Sequence, residues 1–166
     1  MAYNDLAAIA QAVIREKYGN THVFSTEVLR GPAVLFDDWA QSNAQLTKAQ
    51  VRQIKELFTD YEWMLCQKAI FQATTIPEYS AKADYIYANA KKHVAKHWLA
   101  AENCQSSFKN EQVLNHPVVH LRLTMGYDLW GFSDILDFVV PAHIQEAIET
   151  KQLDLLTWAN DLKIEK

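Results

Sequence analysis

Apolar residues recur every three or four positions near the start of the chain, which predicts an amphipathic first helix. Leu6, Ile9 and Val13 fall on one face of a helix with 3.6 residues per turn. Asn4 is suited to cap the first turn, and Gly19 is suited to end the last one. The pattern therefore predicts a helix that begins after Asn4 and ends at Gly19.

The longest predicted helix covers about residues 48–74. Thr47 and Gln50 form a capping-box pair at its start, and Val51 and Ile54 begin a one-sided apolar stripe. The second half, WMLCQKAIFQA, is apolar on nearly every side, which is typical of a helix that enters the interior. We therefore expect this helix to be the central element of the fold.

A further helix is predicted to begin at Pro77 or Ser80 and to end near Cys104. Its apolar face is a stripe at three- and four-residue spacing, formed by Tyr79, Ala83, Ile86, Ala90, Val94, His97 and Ala101. His97 lies within this stripe, and at about 100° per residue His93 lies about 40° from it. Both histidines are thus expected near the buried face.

Turn residues divide the last third of the chain into shorter elements. The polar stretch 103–117 predicts a loop, and Asn115, Ser133 and Pro141 are suited to start helices. The helices predicted here are 118–130, 134–140, 142–149 and 152–163. The whole pattern predicts an all-α fold, a single compact domain over residues 1–166 with six to eight helices bundled around the central one.

The composition agrees with a helical globular protein. Apolar residues make up 49% of the chain and charged residues 22%, with only four glycines and four prolines. Sheet-rich folds of this length usually need more turn residues. The net charge of −4 gives no general attraction for a phosphate backbone, so we do not expect a nucleic-acid partner. No segment has the length of a membrane span, so no membrane partner is expected.

The two cysteines bear on location. Cys66 and Cys104 are not spaced as a CxxC pair, and Cys66 lies in an apolar setting. The N-terminus has no basic leader followed by an apolar run. These features predict a soluble protein of the reducing cytoplasm.

The histidines suggest one possible site. Two HxxxH pairs occur, HVAKH and HPVVH, and residues four apart share a helix face, so two imidazoles can reach one ion. Two such helices could also place an axial ligand on each side of a haem. This pattern defines a hypothesis of a histidine-ligated zinc or haem protein, with His93, His97 and His120 as ligands. The competing interpretation is a polar helix edge without a cofactor.

The usual catalytic motifs are absent from the sequence, since it has no GxSxG, no HExxH and no phosphate-binding glycine loop. Tyr85 and Tyr87 flank the apolar stripe of the 80–104 helix, with Lys92 and Lys96 nearby. Aromatic residues are enriched at protein interfaces, although lysines also snorkel from wide buried faces. The sequence therefore favours a non-enzymatic regulatory protein, such as an adaptor, inhibitor or immunity-type protein, that binds a protein partner through these four residues.

Overall fold

A computed structural model describes residues 4–128 and 131–163. In these ranges the chain forms eight α-helices and a three-stranded antiparallel sheet. The helices are α1 Asp5–Tyr18, α2 Thr21–Glu27, α3 Leu35–Ala40, α4 Lys48–Lys55, α5 Asp60–Thr75, α6 Ala83–Ala100, α7 Ala142–Glu149 and α8 Leu155–Asn160. The strands are β1 Cys104–Val113, β2 His116–Gly126 and β3 Ser133–Val140. The fold mixes helix and sheet, so the prediction of an all-α helical bundle is wrong.

The described residues fall into two compact units. The first comprises residues 4–58 and 63–87, and the second comprises residues 59–62 and 88–163. The single domain over residues 1–166 stays a prediction.

The first unit is helical and follows the local signals of the sequence. Asn4 caps α1 by accepting the amide of Ala7, and Gly19 ends the helix, as predicted. Its core consists of fully buried apolar residues, among them Ile9, Ile14, Phe24, Phe36 and Ile54. The rings of Phe24 and Phe36 meet edge to face with centroids 6.2 Å apart. The helices α1, α2 and α3 contact one another, and this burial of apolar side chains stabilises their packing.

The predicted central helix over 48–74 is interrupted. The capping box of Thr47 and Gln50 is present, but α4 ends at Lys55 and α5 begins at Asp60. A second capping box explains the new start: the hydroxyl of Thr59 accepts the amide of Glu62, and a carboxylate oxygen of Glu62 accepts the amide of Thr59. The prediction of one long central helix is therefore wrong.

The second unit contains the sheet, in the order β1-β2-β3. Residues 103–117 are not a loop, since they form β1, the turn and the first two residues of β2. Leu114 and Asn115 make this turn with positive φ angles of 50° and 70°. The predicted helix over 118–130 is strand β2 as far as Gly126, and its last two residues lie outside the described ranges.

The predicted helix over 134–140 lies within β3. The helices predicted around 142–149 and 152–163 are confirmed as α7 and as the shorter α8, which Asp154 caps.

One face of the sheet is apolar. Leu121, Leu123 and Leu136 are fully buried on it, and Phe138 meets Trp158 of α8 with ring centroids 5.2 Å apart. Side chains alternate between the two faces of a strand, so the intervening residues of β2 lie on the opposite face. That opposite face carries the charged residues described below.

Candidate functional site

The opposite face of the sheet carries a carboxylate–histidine cluster formed by Glu111, His120 and Asp137, one residue from each strand. The register pairs Asp137 with Arg122 and Glu111 with Val118, which are the residues two positions on either side of His120. Residues on these diagonals are within reach of long side chains. Folding therefore brings together groups that are 9 and 17 positions from His120 in the sequence.

Both ring nitrogens of His120 are bound within this cluster. Nδ1 is 2.7 Å from Oδ1 of Asp137, and Nε2 is 2.8 Å from Oε2 of Glu111. An ionised carboxylate only accepts hydrogen bonds, so both bonds form together when the ring carries a proton on each nitrogen. Arg122 adds a positive charge, with Nε 3.7 Å from Oδ2 of Asp137. His120 itself is only 6% exposed.

A second group of polar residues, the β3 edge cap, consists of Thr59, Glu62 and Lys91. The Thr59 hydroxyl donates to the carbonyl of Ile135 at 2.6 Å. Glu62 accepts the backbone amide of Asp137 at 2.8 Å, and Lys91 donates to the carbonyl of Asp137. Glu62 and Lys91 form an ion pair of 3.1 Å, and Glu62 is 3% exposed. Three backbone groups on the outer edge of β3, the carbonyl of Ile135 and the amide and carbonyl of Asp137, are thus bonded by side chains.

The cluster and the edge cap are linked through Asp137, whose side chain binds His120 and whose backbone binds Glu62 and Lys91. A general acid or base needs an atom within hydrogen-bond reach of the substrate, and both nitrogens of His120 already have carboxylate partners. Within residues 4–128 and 131–163, no group of three or more His, Cys, Asp or Glu is arranged to hold a metal ion. The geometry is that of a polar network that ties the three strands together.

The outer edge of β1 differs from that of β3. The amide of Gly126 donates to the carbonyl of Asn103, so these two residues are a hydrogen-bonded pair of the β1–β2 ladder. Hydrogen-bonded and non-hydrogen-bonded pairs alternate along an antiparallel ladder. Odd-numbered residues of β1 therefore bond to β2, and the backbone groups of the even-numbered residues from Cys104 to Gln112 point outward. No hydrogen bond to these outward groups occurs in the described part of the chain. Most side chains of β1 are exposed.

The residues predicted as metal ligands occupy different environments. His93 and His97 are exposed on α6, one turn apart, whereas His120 is buried on β2 between two carboxylates. The pair His116 and His120 lies on a strand, where four residues span about 13 Å, so the two rings are not directed at one ion. Zinc or haem binding by His93, His97 and His120 is not tested by these positions and stays a prediction.

The predicted apolar stripe of the 80–104 helix is displaced. The buried positions of α6 include Ala83, Tyr87, Ala95 and Trp98, so His97 lies off the buried face. The spacing of three and four residues is correct, and Ala83 belongs to both sets, but Tyr87, Ala95 and Trp98 are buried at positions that the predicted stripe did not include.

The predicted partner-binding residues also lie in different environments. Tyr85 is 48% exposed and Tyr87 is 6% exposed. Lys92 donates to the carbonyl of Lys163 at 2.7 Å, and Lys96 to that of Leu162 at 3.2 Å. These two lysines hold the segment after α8, and a partner contact by any of the four residues stays a prediction.

Sequence reasoning missed Glu62 and Glu111, and it did not place Asp137 beside His120. The signal for the two strand residues was the alternation within β2, where His120 and Arg122 are separated by the apolar Leu121. The signal for Glu62 was the spacing Thr59-x-x-Glu62, a capping box inside the predicted helix.

Outside the cluster, burial and the carboxylate of Asp84 raise the pKa of Asp5, and the carboxylate of Asp134 raises the pKa of Tyr127. Burial raises the pKa of Asp5, and repulsion by Asp84 raises it further. Oδ1 of Asp5 is buried with no hydrogen-bond partner among the described residues. The hydroxyl of Tyr127 donates to Asp134, and this bond raises the pKa of Tyr127 to about 12, with smaller contributions from burial and charge repulsion.

Comparisons with protein-family models, with curated proteins and with solved structures give no match for this chain. No helix within the described residues is long and apolar enough to cross a membrane.

Proposed function

We propose that this chain is a non-enzymatic binding protein that recognises a protein partner by adding a strand to the outer edge of β1. The observation that carries the proposal is the difference between the two edges of the sheet. Three outward backbone groups of β3, at Ile135 and Asp137, are bonded by side chains of the edge cap, whereas the outward backbone groups of β1 have no hydrogen bond within the described residues.

An unpaired strand edge is a template for another chain, and proteins usually protect such edges. β1 is 10 residues long and contains no proline. Strand addition uses main-chain hydrogen bonds for affinity and the alternating side chains for specificity. The edge of β1 therefore has the length and the free donors and acceptors that this mode of recognition requires.

Charge and cysteine chemistry support the class of partner and the compartment. The net charge of −4 disfavours nucleic acid, so a protein partner is the better match. Cys66 and Cys104 form no disulfide within the described residues, which is consistent with a reducing cytoplasmic location.

The arrangement of the carboxylate–histidine cluster supports a non-enzymatic role. Its histidine is buried, and each ring nitrogen lies within hydrogen-bond distance of a carboxylate of the same chain. The cluster then acts by positioning β1 and β3 against β2.

Site-specific photo-crosslinking tests the proposal. A photoreactive residue replaces Gln112, which is exposed on β1, and in a control it replaces Gln145 on α7. Irradiation of cells that express the full chain should give a crosslinked protein product with the Gln112 probe and none with the control. Asn110→Pro should abolish this product, because it removes an outward amide without removing a bond to β2, while Asn110→Ala should keep it. Absence of any protein product from the β1 probe would refute the proposal.

A further inference from the structure

We infer that the partner at the outer edge of β1 is a second copy of this chain, paired antiparallel about Asn110. This inference rests on the proposed function and identifies its partner. The two sheets would then form one continuous sheet in which β1 lies beside β1 of the second copy.

A two-fold axis restricts how β1 can pair with itself. The outward backbone groups belong to even-numbered residues, so two copies can form hydrogen-bonded pairs only between even-numbered residues. Lys109 carries the only positive charge of the strand, and Glu111 carries the only negative one. Each allowed register therefore determines which residues of the second copy lie opposite Lys109 and Glu111.

Charge complementarity selects among these registers. Centring on Lys109 places two lysines directly opposite each other, which is destabilising. Centring on Phe108 places Lys109 opposite Ser107 of the second copy and gives no charge pairing. Centring on Asn110 places Lys109 opposite Glu111 of the second copy, and the two-fold axis repeats this pair. The strand is therefore complementary to itself in the register centred on Asn110.

The chemistry of the two charged residues is compatible with this arrangement. Lys109 is exposed, and no ion pair involves it in the part of the chain that the structure describes. Glu111 binds His120 through Oε2, and a carboxylate has lone pairs for further donors. The bond to His120 also fixes Glu111 on the face that Lys109 of the second copy would reach.

The expected interface is small. Pairing over residues 107–113 gives about six main-chain hydrogen bonds and two exposed ion pairs. Interfaces of this size are weak and reversible, so we expect a dissociation constant in the micromolar range.

Sedimentation of the purified full chain between about 1 μM and about 1 mM tests the dimer. The chain should pass from monomer to dimer in this range. Lys109→Glu would place like charges opposite each other and should raise the dissociation constant about tenfold or more. Lys68→Glu is the matched control, since Lys68 is exposed on α5 and the change in net charge is the same. A monomer at every concentration, or equal effects of both substitutions, would overturn the inference.

Single-cysteine crosslinking tests the register. In a Cys104→Ser background, Asn110→Cys should form an intermolecular disulfide under mild oxidation, because residue 110 lies on the two-fold axis. Ser106→Cys is equally exposed on the same strand and face and should not. Crosslinking of Ser106→Cys instead of Asn110→Cys would overturn the register. If the chain is monomeric but the photoreactive residue at Gln112 captures a different protein, the second copy is refuted while the proposed function stands.

Discussion

Removal of the Glu62 carboxylate is predicted to destabilise the chain more than any substitution of an exposed charge. Glu62→Ala leaves the backbone amide of Asp137 without its acceptor and removes the ion-pair partner of Lys91, which has little access to water. It also removes the acceptor for the amide of Thr59 at the start of α5. Breaking one side of a buried pair costs about 3–5 kcal/mol. That is a large part of the roughly 5–15 kcal/mol that stabilises a typical domain.

The partner substitution should cost less. Lys91→Met leaves Glu62 with two backbone donors, from Thr59 and Asp137, so its charge remains solvated by the protein. The methionine can also retain contact with the ring of Phe138, over which the Lys91 ammonium lies at 4.4 Å. The double variant Glu62→Ala, Lys91→Met lacks the Lys91 ammonium that Glu62→Ala alone would leave without its carboxylate partner. The double variant should therefore be more stable than the sum of the single effects predicts, by about 0.5–3 kcal/mol.

Denaturant unfolding followed by circular dichroism measures these free energies, and amide exchange of Asp137 reports the edge of β3 directly. Glu102→Ala is the control, since Glu102 is exposed near the start of β1 and its removal should change stability by no more than about 0.5 kcal/mol. If Glu62→Ala costs less than about 1 kcal/mol and the Asp137 amide keeps its protection, the pair does not hold the edge of β3 and the contrast between the two edges fails.

Three further outcomes follow from the same structure. The pKa of Asp5 is raised, which means that the fold favours the neutral form of its carboxyl group. The contribution of Asp5 to the free energy of unfolding is therefore fully present below the pKa of the unfolded state, and it is lost as pH rises through the pKa of the folded state. The unfolding free energy of Asp5→Asn, relative to the parent chain, should therefore increase between about pH 3 and about pH 7, and a constant difference would contradict this. Asp134→Asn should lower the pKa of Tyr127 from about 12 towards the usual value of about 10, as measured by ultraviolet titration of the phenolate with Tyr127→Phe as the reference; an unchanged titration would exclude the hydrogen bond as its cause. A chelator should leave the unfolding midpoint unchanged in the purified chain, whereas a decrease that is absent in the His93→Ala, His97→Ala double variant would favour the metal hypothesis.

The helices that sequence reasoning predicted correctly are those with strong local signals. Asn4 and Gly19 delimit α1, and Thr47 with Gln50 begins α4, because capping groups satisfy backbone donors and acceptors within a few residues. The structure does not continue α4 into α5, because Thr59 and Glu62 form a second capping box that competes with helix continuation. Local chemistry therefore determined these boundaries.

The sheet was missed because its local signal is ambiguous and its strand pairing is not encoded locally. The run from Val118 to Met125 is apolar enough to be interpreted as a buried helix, and only its alternation with His120 and Arg122 distinguishes a strand. The hairpin turn at Leu114 and Asn115 requires positive φ at both residues, and leucine gives little indication of that. The cluster depends on the register of three strands, which no short pattern encodes.

The carboxylate–histidine cluster and the outer edge of β1 are connected through Glu111. This residue lies on the edge strand, and its bond to His120 fastens β1 to β2 from the charged face, while Asp137 fastens β3 to the same ring. An edge held in its extended conformation loses less freedom when a second strand is added, so more of the hydrogen-bond energy is available for binding. In the proposed strand addition, the buried histidine would therefore support recognition without touching the partner. Its two carboxylates keep the three strands in register, and the outer edge of β1 then presents an ordered row of donors and acceptors.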